Sequence, residues 1–253
     1  MNPALQAVLH RADIWSGDSL AQPEGGIASG FPELDAALPG GGWPRGAFTE
    51  LILERQGIGE LGLVLPALAR LSRDNREVIF VAPPHIPYAP ALVQHGIALS
   101  HFLWLRVSDP KDKLWAAEQA LRSGSCGAVL CWLPIFTERI ARRLHSAAES
   151  GKTWGVQFTA AERAGDASPA PLRMRLSSAE RKLQVRVIKR RGGGWAAPVS
   201  LNIASNVDHI NADHVMDLSA LSRSFAASVL PRERRIVAVR GDDQRFAAVD
   251  TRV

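Results

Sequence analysis

Cysteine is scarce in this chain of 253 residues: there are two, Cys126 and Cys131. That scarcity excludes a disulfide-stapled scaffold. Both fall inside an apolar run that reads as a strand, and a lone C-x4-C pair matches no common zinc spacing, so both are expected to be reduced core residues. Long apolar runs are missing as well. No stretch approaches the ~18 uncharged apolar residues of a membrane-spanning helix. The first residues lack a basic segment followed by an apolar run and a small-residue cleavage site, so the chain is expected to be cytosolic, with no membrane partner. No internal repeat is visible. Ser, His and acidic residues are present but form no recognisable nucleophile motif. Asp208-His209 and Asp213-His214, with Asp217 beyond, come nearest to a metal cluster. On a helix a five-residue spacing turns the two imidazoles about 140° apart, and no third nitrogen ligand is near. No metal is therefore expected.

What is present suffices for one sizeable core, since 46% of the residues are hydrophobic. Lys plus Arg number 30 against 25 Asp plus Glu, a formal charge of +5. That balance suits a nucleic-acid partner without requiring one. The excess is concentrated: Arg173, Arg175, Arg181, Lys182, Arg186, Lys189, Arg190 and Arg191 are offset in their stretch only by Glu180. A DNA track and a solvated sheet edge both fit this pattern. The stretch lacks interleaved aromatics for base stacking until Trp195.

Along the chain, Pro3 after Asn2 opens a short helix with Leu5, Val8 and Leu9 on one face. Residues 16–30 read as a polar, Gly-rich linker. A helical turn at 33–38 ends at Pro39 and a glycine run. Then strand and helix alternate: strands at 47–53, 77–82, 102–107, 128–133 and 153–159, helices at 60–73, 88–95, 110–123 and 137–151. Asp109 caps the third of these helices, with Pro110 at its first position. Such alternation predicts a doubly wound, mostly parallel sheet flanked by helices. Residues 172–177 and 181–191 alternate as an antiparallel pair that closes one edge. The predicted division is an N-terminal helix and linker (1–25), a core (26–200) and a flexible C-terminal tail (201–253), with a helix at 215–228.

A strand, a Gly-containing turn and a helix form the place where a doubly wound sheet holds phosphate, because backbone N–H groups and the helix dipole converge there. The turn is Glu54-Arg55-Gln56-Gly57-Ile58-Gly59-Glu60-Leu61. A working P-loop needs a lysine on the terminal phosphates and a Ser or Thr on magnesium. Glu60 stands in the lysine's place and Leu61 in the hydroxyl's. An acid at about 4 Å from a phosphate turns attraction into repulsion worth several kcal/mol at an effective dielectric of about 20. Two further positions agree. The strand at 128–132 ends in Trp132 where a magnesium-binding Asp would stand, and the strand at 77–82 leads to Pro83-Pro84 where a water-activating acid would stand. Degenerate nucleotide-site residues are thus Gln56, Gly57, Gly59, Glu60 and Leu61, with acids vacant at Pro84 and Trp132; no cofactor and no catalysis are expected.

Gly30-Phe31-Pro32-Glu33-Leu34-Asp35, then Gly42-Trp43-Pro44-Arg45-Gly46, resembles the stretch before the P-loop of RecA, and LQVRVIKRRGG resembles that core's late basic strand. The likeness runs over roughly residues 26–200. LPGGGWPRGAFTEL and GIGELGLVLPALARL are similar to stretches of the ImuA family, RecA-like accessory factors of bacterial damage-induced mutagenesis. That resemblance implies a non-catalytic adaptor of translesion DNA synthesis in the SOS response. Its implied partners are ImuB, an inactive Y-family polymerase homologue, an error-prone C-family polymerase, RecA and single-stranded DNA. The SulA family of SOS cell-division inhibitors, which bind the tubulin-like FtsZ, is also similar to a RecA core without ATPase residues. SulA chains are shorter, and the basic strand at 181–191 and the tail are not expected of them.

Where RecA-like cores face DNA or a neighbouring subunit, this chain has Arg173, Arg175, Lys189, Arg190 and Arg191, the DNA-binding candidates. Leu5, Val8 and Leu9 of the first helix, with Trp43 and Trp195 in Gly-rich loops, are the candidates for partner contact or self-association.

Overall fold

The computed structural model describes residues 25–192 and 197–203, and the backbone of 237–240. Leu5, Val8, Leu9, Trp195, the two Asp-His pairs and the helix expected at 215–228 lie outside the described residues. Within them, the chain runs α1 (Pro32–Ala37), β1 (Phe48–Leu53), α2 (Glu60–Arg73), β2 (Glu77–Val81), α3 (Ala89–Gln94), β3 (Phe102–Arg106), α4 (Pro110–Arg122), β4 (Cys126–Cys131), α5 (Glu138–Gly151) and β5 (Trp154–Ala160). Then follow β6 (Leu172–Ala179), β7 (Lys182–Lys189), β8 (Val199–Leu201) and β9 (Val237–Arg240). These build one mixed sheet in the order β8-β7-β6-β1-β5-β4-β2-β3-β9. The six inner strands from β6 to β3 pair in parallel, whereas β7, β8 and β9 add antiparallel at the two sides.

Every side chain of β1 and of β4 is buried, as expected of central parallel strands covered on both faces. On one face α2 buries Leu63, Val64, Ala67, Leu68 and Leu71 against Leu51, Val78, Phe80, Leu130 and Val156. On the other, α4 and α5 bury Ala116, Ala117, Leu121, Leu144 and Ala148 against Phe48, Ile79, Val129 and Cys131. The cap read from the sequence forms, with the Asp109 carboxylate accepting from the Lys111 and Asp112 N–H groups; Thr137, read as the first residue of the next helix, is its cap and accepts from the Ile140 N–H. Glu118 of α4, largely buried, pairs with Arg122 and, across the helix interface, with Arg143 of α5.

Both cysteines are free and buried. Burial pushes the Cys126 thiol up to about 11, against weaker opposing hydrogen bonds from Ser123 and Ser125; it raises Cys131 further still. Among the described residues no helix is long and apolar enough to cross a membrane.

Three expectations need correction. Strand β4 begins and ends two residues earlier than read from the sequence, so Trp132 and Leu133 lie past its end. Residues 237–240, placed in a loose tail by their composition, pair antiparallel with β3. Trp43 was expected as an exposed anchor because it follows three glycines. It is instead fully buried, stacked on Trp154 with ring centroids 4.9 Å apart. An isolated bridge between Ile27 and Trp43 holds it there, with N–H···O distances of 2.8 and 2.7 Å. The glycines serve this approach: a Cβ on Gly42 would come 2.3 Å from the Ile27 carbonyl oxygen.

Candidate functional site

The carboxyl ends of β1, β5, β4 and β2 lie side by side, and there the loops that carry chemistry in such sheets converge. After β1 the chain makes the turn to α2, with Gly57 at φ 77° and Gly59 at φ 100°. Those left-handed conformations suit glycine and leave the Gly57 and Ile58 N–H groups pointing to one side, an anion-binding nest. The nest is occupied by the chain itself. Gly57 N–H donates to Oε1 of Glu60 and Ile58 N–H to Oε2, each at 2.9 Å. Glu60 is also the first residue of α2, where a carboxylate is favoured by the helix dipole. The sequence suggested that Glu60 would repel a phosphate; the geometry goes further, for its carboxylate sits on the donors a phosphate would need.

A second contact closes the same turn. Ile203, just past β8, packs over the start of α2, so that a Cβ on Gly62 would come 2.1 Å from its Cγ2 and one on Gly59 3.6 Å from its Cγ1. Leu61 is exposed and offers no hydroxyl.

Where the magnesium-binding acid would stand, Trp132 instead stacks on Phe158 at 4.7 Å and meets Phe80 edge-on at 5.5 Å. Phe80 in turn meets Phe102 edge-on at 4.9 Å. Four aromatic rings, Phe102, Phe80, Trp132 and Phe158, thus form a continuous row of contacts. Past β2, Ala82 adopts a positive φ of 49° and leads into Pro83-Pro84. Between these loops lies a cleft of about 380 Å³, lined among others by Gln56, Pro84, Lys113, Trp132, Thr159 and Arg163.

The basic candidates separate. Arg173 is buried and does not face solvent: its Nε donates to Glu50 at 2.7 Å, and its guanidinium reaches the carbonyls of Arg163 and Ala164. Glu50 and Arg173 are direct register partners on β1 and β6. That pairing was invisible in the sequence, where an arginine in an alternating segment looks like an exposed edge residue. Arg190 donates to the Ala37 carbonyl at 2.6 Å, and Lys189 to that of Ser168 at 2.7 Å. Arg175 is exposed, opposite Arg186 on the face of β6 and β7 that points away from the core, and Arg191 is exposed in the turn beyond.

The segment between β2 and β3, where the sequence offers no partner-contact candidate, carries three of the large exposed apolar side chains among the described residues. Ile86, Tyr88 and Val93 are 62%, 70% and 52% exposed. Their signal was Pro83-Pro84 and Pro87, a proline-rich loop too stiff to fold its side chains inward.

Comparison with known proteins decides between the two resemblances. A family model described as Cell division inhibitor SulA matches residues 46–155. Cell division inhibitor SulA of Pectobacterium carotovorum is 35% identical over 42% of this chain and 63% of its own length. That of Serratia marcescens is 30% identical over 54% of this chain and 82% of its own. The chain belongs to the SulA family. A crystal structure of SulA from Pseudomonas aeruginosa is 27% identical, covering 45% of this chain and 97% of that one, with a TM-score of 0.39. The chain spans under two thirds of several SulA relatives, 63% and 62% of the two from Pectobacterium.

SulA membership overturns the likeness to ImuA. With it go the translesion and mutagenesis role and the partner set of ImuB, the error-prone polymerase, RecA and single-stranded DNA. The reason is positional. The features taken to separate the families, the basic strand at 181–191 and the tail, lie outside the residues that the SulA model matches, 46–155. Inside that span lie the turn at 54–61 and the helix after it, part of the stretch on which the likeness to ImuA rested.

Proposed function

We propose that this chain is a non-catalytic, cytosolic inhibitor of cell division of the SOS response, acting by binding FtsZ. The observation that carries this reading is the match to SulA of Serratia marcescens over 82% of that protein. The self-occupied turn supports it. With Glu60 on the nest and Trp132 in place of an acid, the turn after β1 offers, among the described residues, neither a free phosphate seat nor a carboxylate for its metal, which favours a role in contacts between surfaces. We read residues 26–200 as a RecA-type core kept for its shape.

The surface best suited to the contact is the segment with Ile86, Tyr88 and Val93. Large apolar and aromatic side chains held in water are the usual anchors of an interface. Pro83, Pro84, Pro87 and Pro90 restrict this segment before any partner arrives, so little conformational entropy is left to lose on binding. The test is titration of fluorescently labelled FtsZ with the purified protein. Saturable binding that weakens about tenfold or more in Ile86→Ala/Tyr88→Ala is expected. Absence of binding by the unsubstituted protein would refute the reading.

A further inference from the structure

The cleft at the carboxyl ends of β1, β5, β4 and β2 is built for more than the loss of ATP requires. Its volume of about 380 Å³ lies within the range of small-molecule sites. None of its lining residues is acidic, and most of its wall is apolar: Pro84, Trp132 and Phe136 among them. Two cations border it, and they differ. Arg163 is committed, with Nε on Asp166 at 3.0 Å and an NH2 group on the Phe136 carbonyl. Lys113 is half-buried on α4 and uses its main-chain N–H on the Asp109 carbonyl, but its ammonium has no hydrogen bond or ion pair among the described residues. The polar groups at the back differ in the same way. Gln157 is spent on the main chain of Leu133 and Phe158. Thr159 is 95% buried, and its Oγ1 has no partner. A buried hydroxyl without a partner is uncommon and points to something the site is meant to receive.

We propose that this cleft binds a small organic carboxylate with an apolar or aromatic body. One ammonium and one hydroxyl supply donors for the two oxygens of a carboxylate, while Trp132, Pro84 and Phe136 receive the apolar remainder. A phosphate calls for more donors than this. The fork of Arg163 is already engaged and the nearby nest is filled by Glu60. This site stands apart from the FtsZ reading and needs nothing from it.

NMR titration of the full-length protein tests it with three probes: benzoate, its neutral analogue benzamide, and inorganic phosphate. Benzoate is expected to shift the Thr159 methyl and the main-chain amides of Trp132, Leu133, Ile135 and Phe136 saturably, and benzamide to bind about tenfold more weakly, the equivalent of one ion pair of about 1.4 kcal/mol. Lys113→Gln should weaken benzoate by a similar factor, and Thr159→Val should weaken it while leaving the free protein's spectrum otherwise unchanged. Equal shifts by benzoate and benzamide, preference for phosphate, shifts remote from the cleft, unaltered benzoate affinity in Lys113→Gln, or no response to any probe would each overturn the assignment.

Discussion

Replacing Glu60 by alanine separates a self-closed phosphate turn from one that is merely missing its lysine. The carboxylate accepts from Gly57 and Ile58 at 2.9 Å each, one bond exposed and the other half-buried. Hydrogen bonds to charged groups contribute about 1.5–3 kcal/mol each when protected. Water replaces much of the exposed one, and the favourable placement of the charge on the α2 dipole adds about 0.3–1 kcal/mol. The loss should total about 1–2 kcal/mol, a fall in melting temperature of about 2–8 °C for a domain of this size. The substitution also frees two converging N–H groups. Sulfate should then stabilise the Glu60→Ala protein, by about 1.4 kcal/mol at ten times its dissociation constant, and leave the unsubstituted protein unaffected. Differential scanning calorimetry across a sulfate series reads both effects. ATP should bind neither protein, because Ile203 still covers the start of α2 and Leu61 still stands where the hydroxyl would be. An unchanged melting temperature in Glu60→Ala, or sulfate stabilising both proteins equally, would refute the reasoning.

Arg173→Met should cost about 3–5 kcal/mol, because it leaves Glu50 charged, buried and unpaired; Glu50→Leu/Arg173→Met should recover most of it in urea unfolding. Gly155→Ala should cost about 1–3 kcal/mol, since its Cβ would lie 2.3 Å from the Phe48 ring, and thermal unfolding will show it. The Cys126 thiol keeps its proton up to about 11 in the folded chain against 9.0 as its ordinary value. The unfolded chain therefore gives up that proton first as pH rises, and this contribution to stability is complete below pH 9 and lost toward pH 11. Cys126→Ala should show a shallower decline of stability over that window than the unsubstituted protein.

The alternation of strands and helices was legible because each core strand is a short apolar run and the helices carry a 3.6-residue stripe, as Val64, Leu68 and Leu71 do on α2. The cap at Asp109 was legible because capping is local chemistry. Strands β8 and β9, three and four residues long, are too short to show alternation. Arg173 was misread because its partner lies 123 residues away, and only the sheet register unites them. Trp43 was misread because a glycine run looks like an exposed loop when its purpose is close approach to Ile27. Glu60, Pro84 and Trp132 carry the expectation of a decayed nucleotide site. The contact of the Glu60 carboxylate with the turn was not read from the sequence, although an acid two and three residues after the Ile58 and Gly57 N–H groups is a local pattern that could have suggested it. The choice between families failed for want of a discriminating feature inside residues 46–155.

The most direct measurement of the central claim is a binding isotherm of the purified chain with FtsZ from the same cell, followed in parallel with FtsZ assembly by light scattering. Saturable binding, with assembly suppressed as the complex forms and both effects weakened in Ile86→Ala/Tyr88→Ala, is the predicted result. No binding, with assembly unchanged in the presence of excess protein, would contradict it.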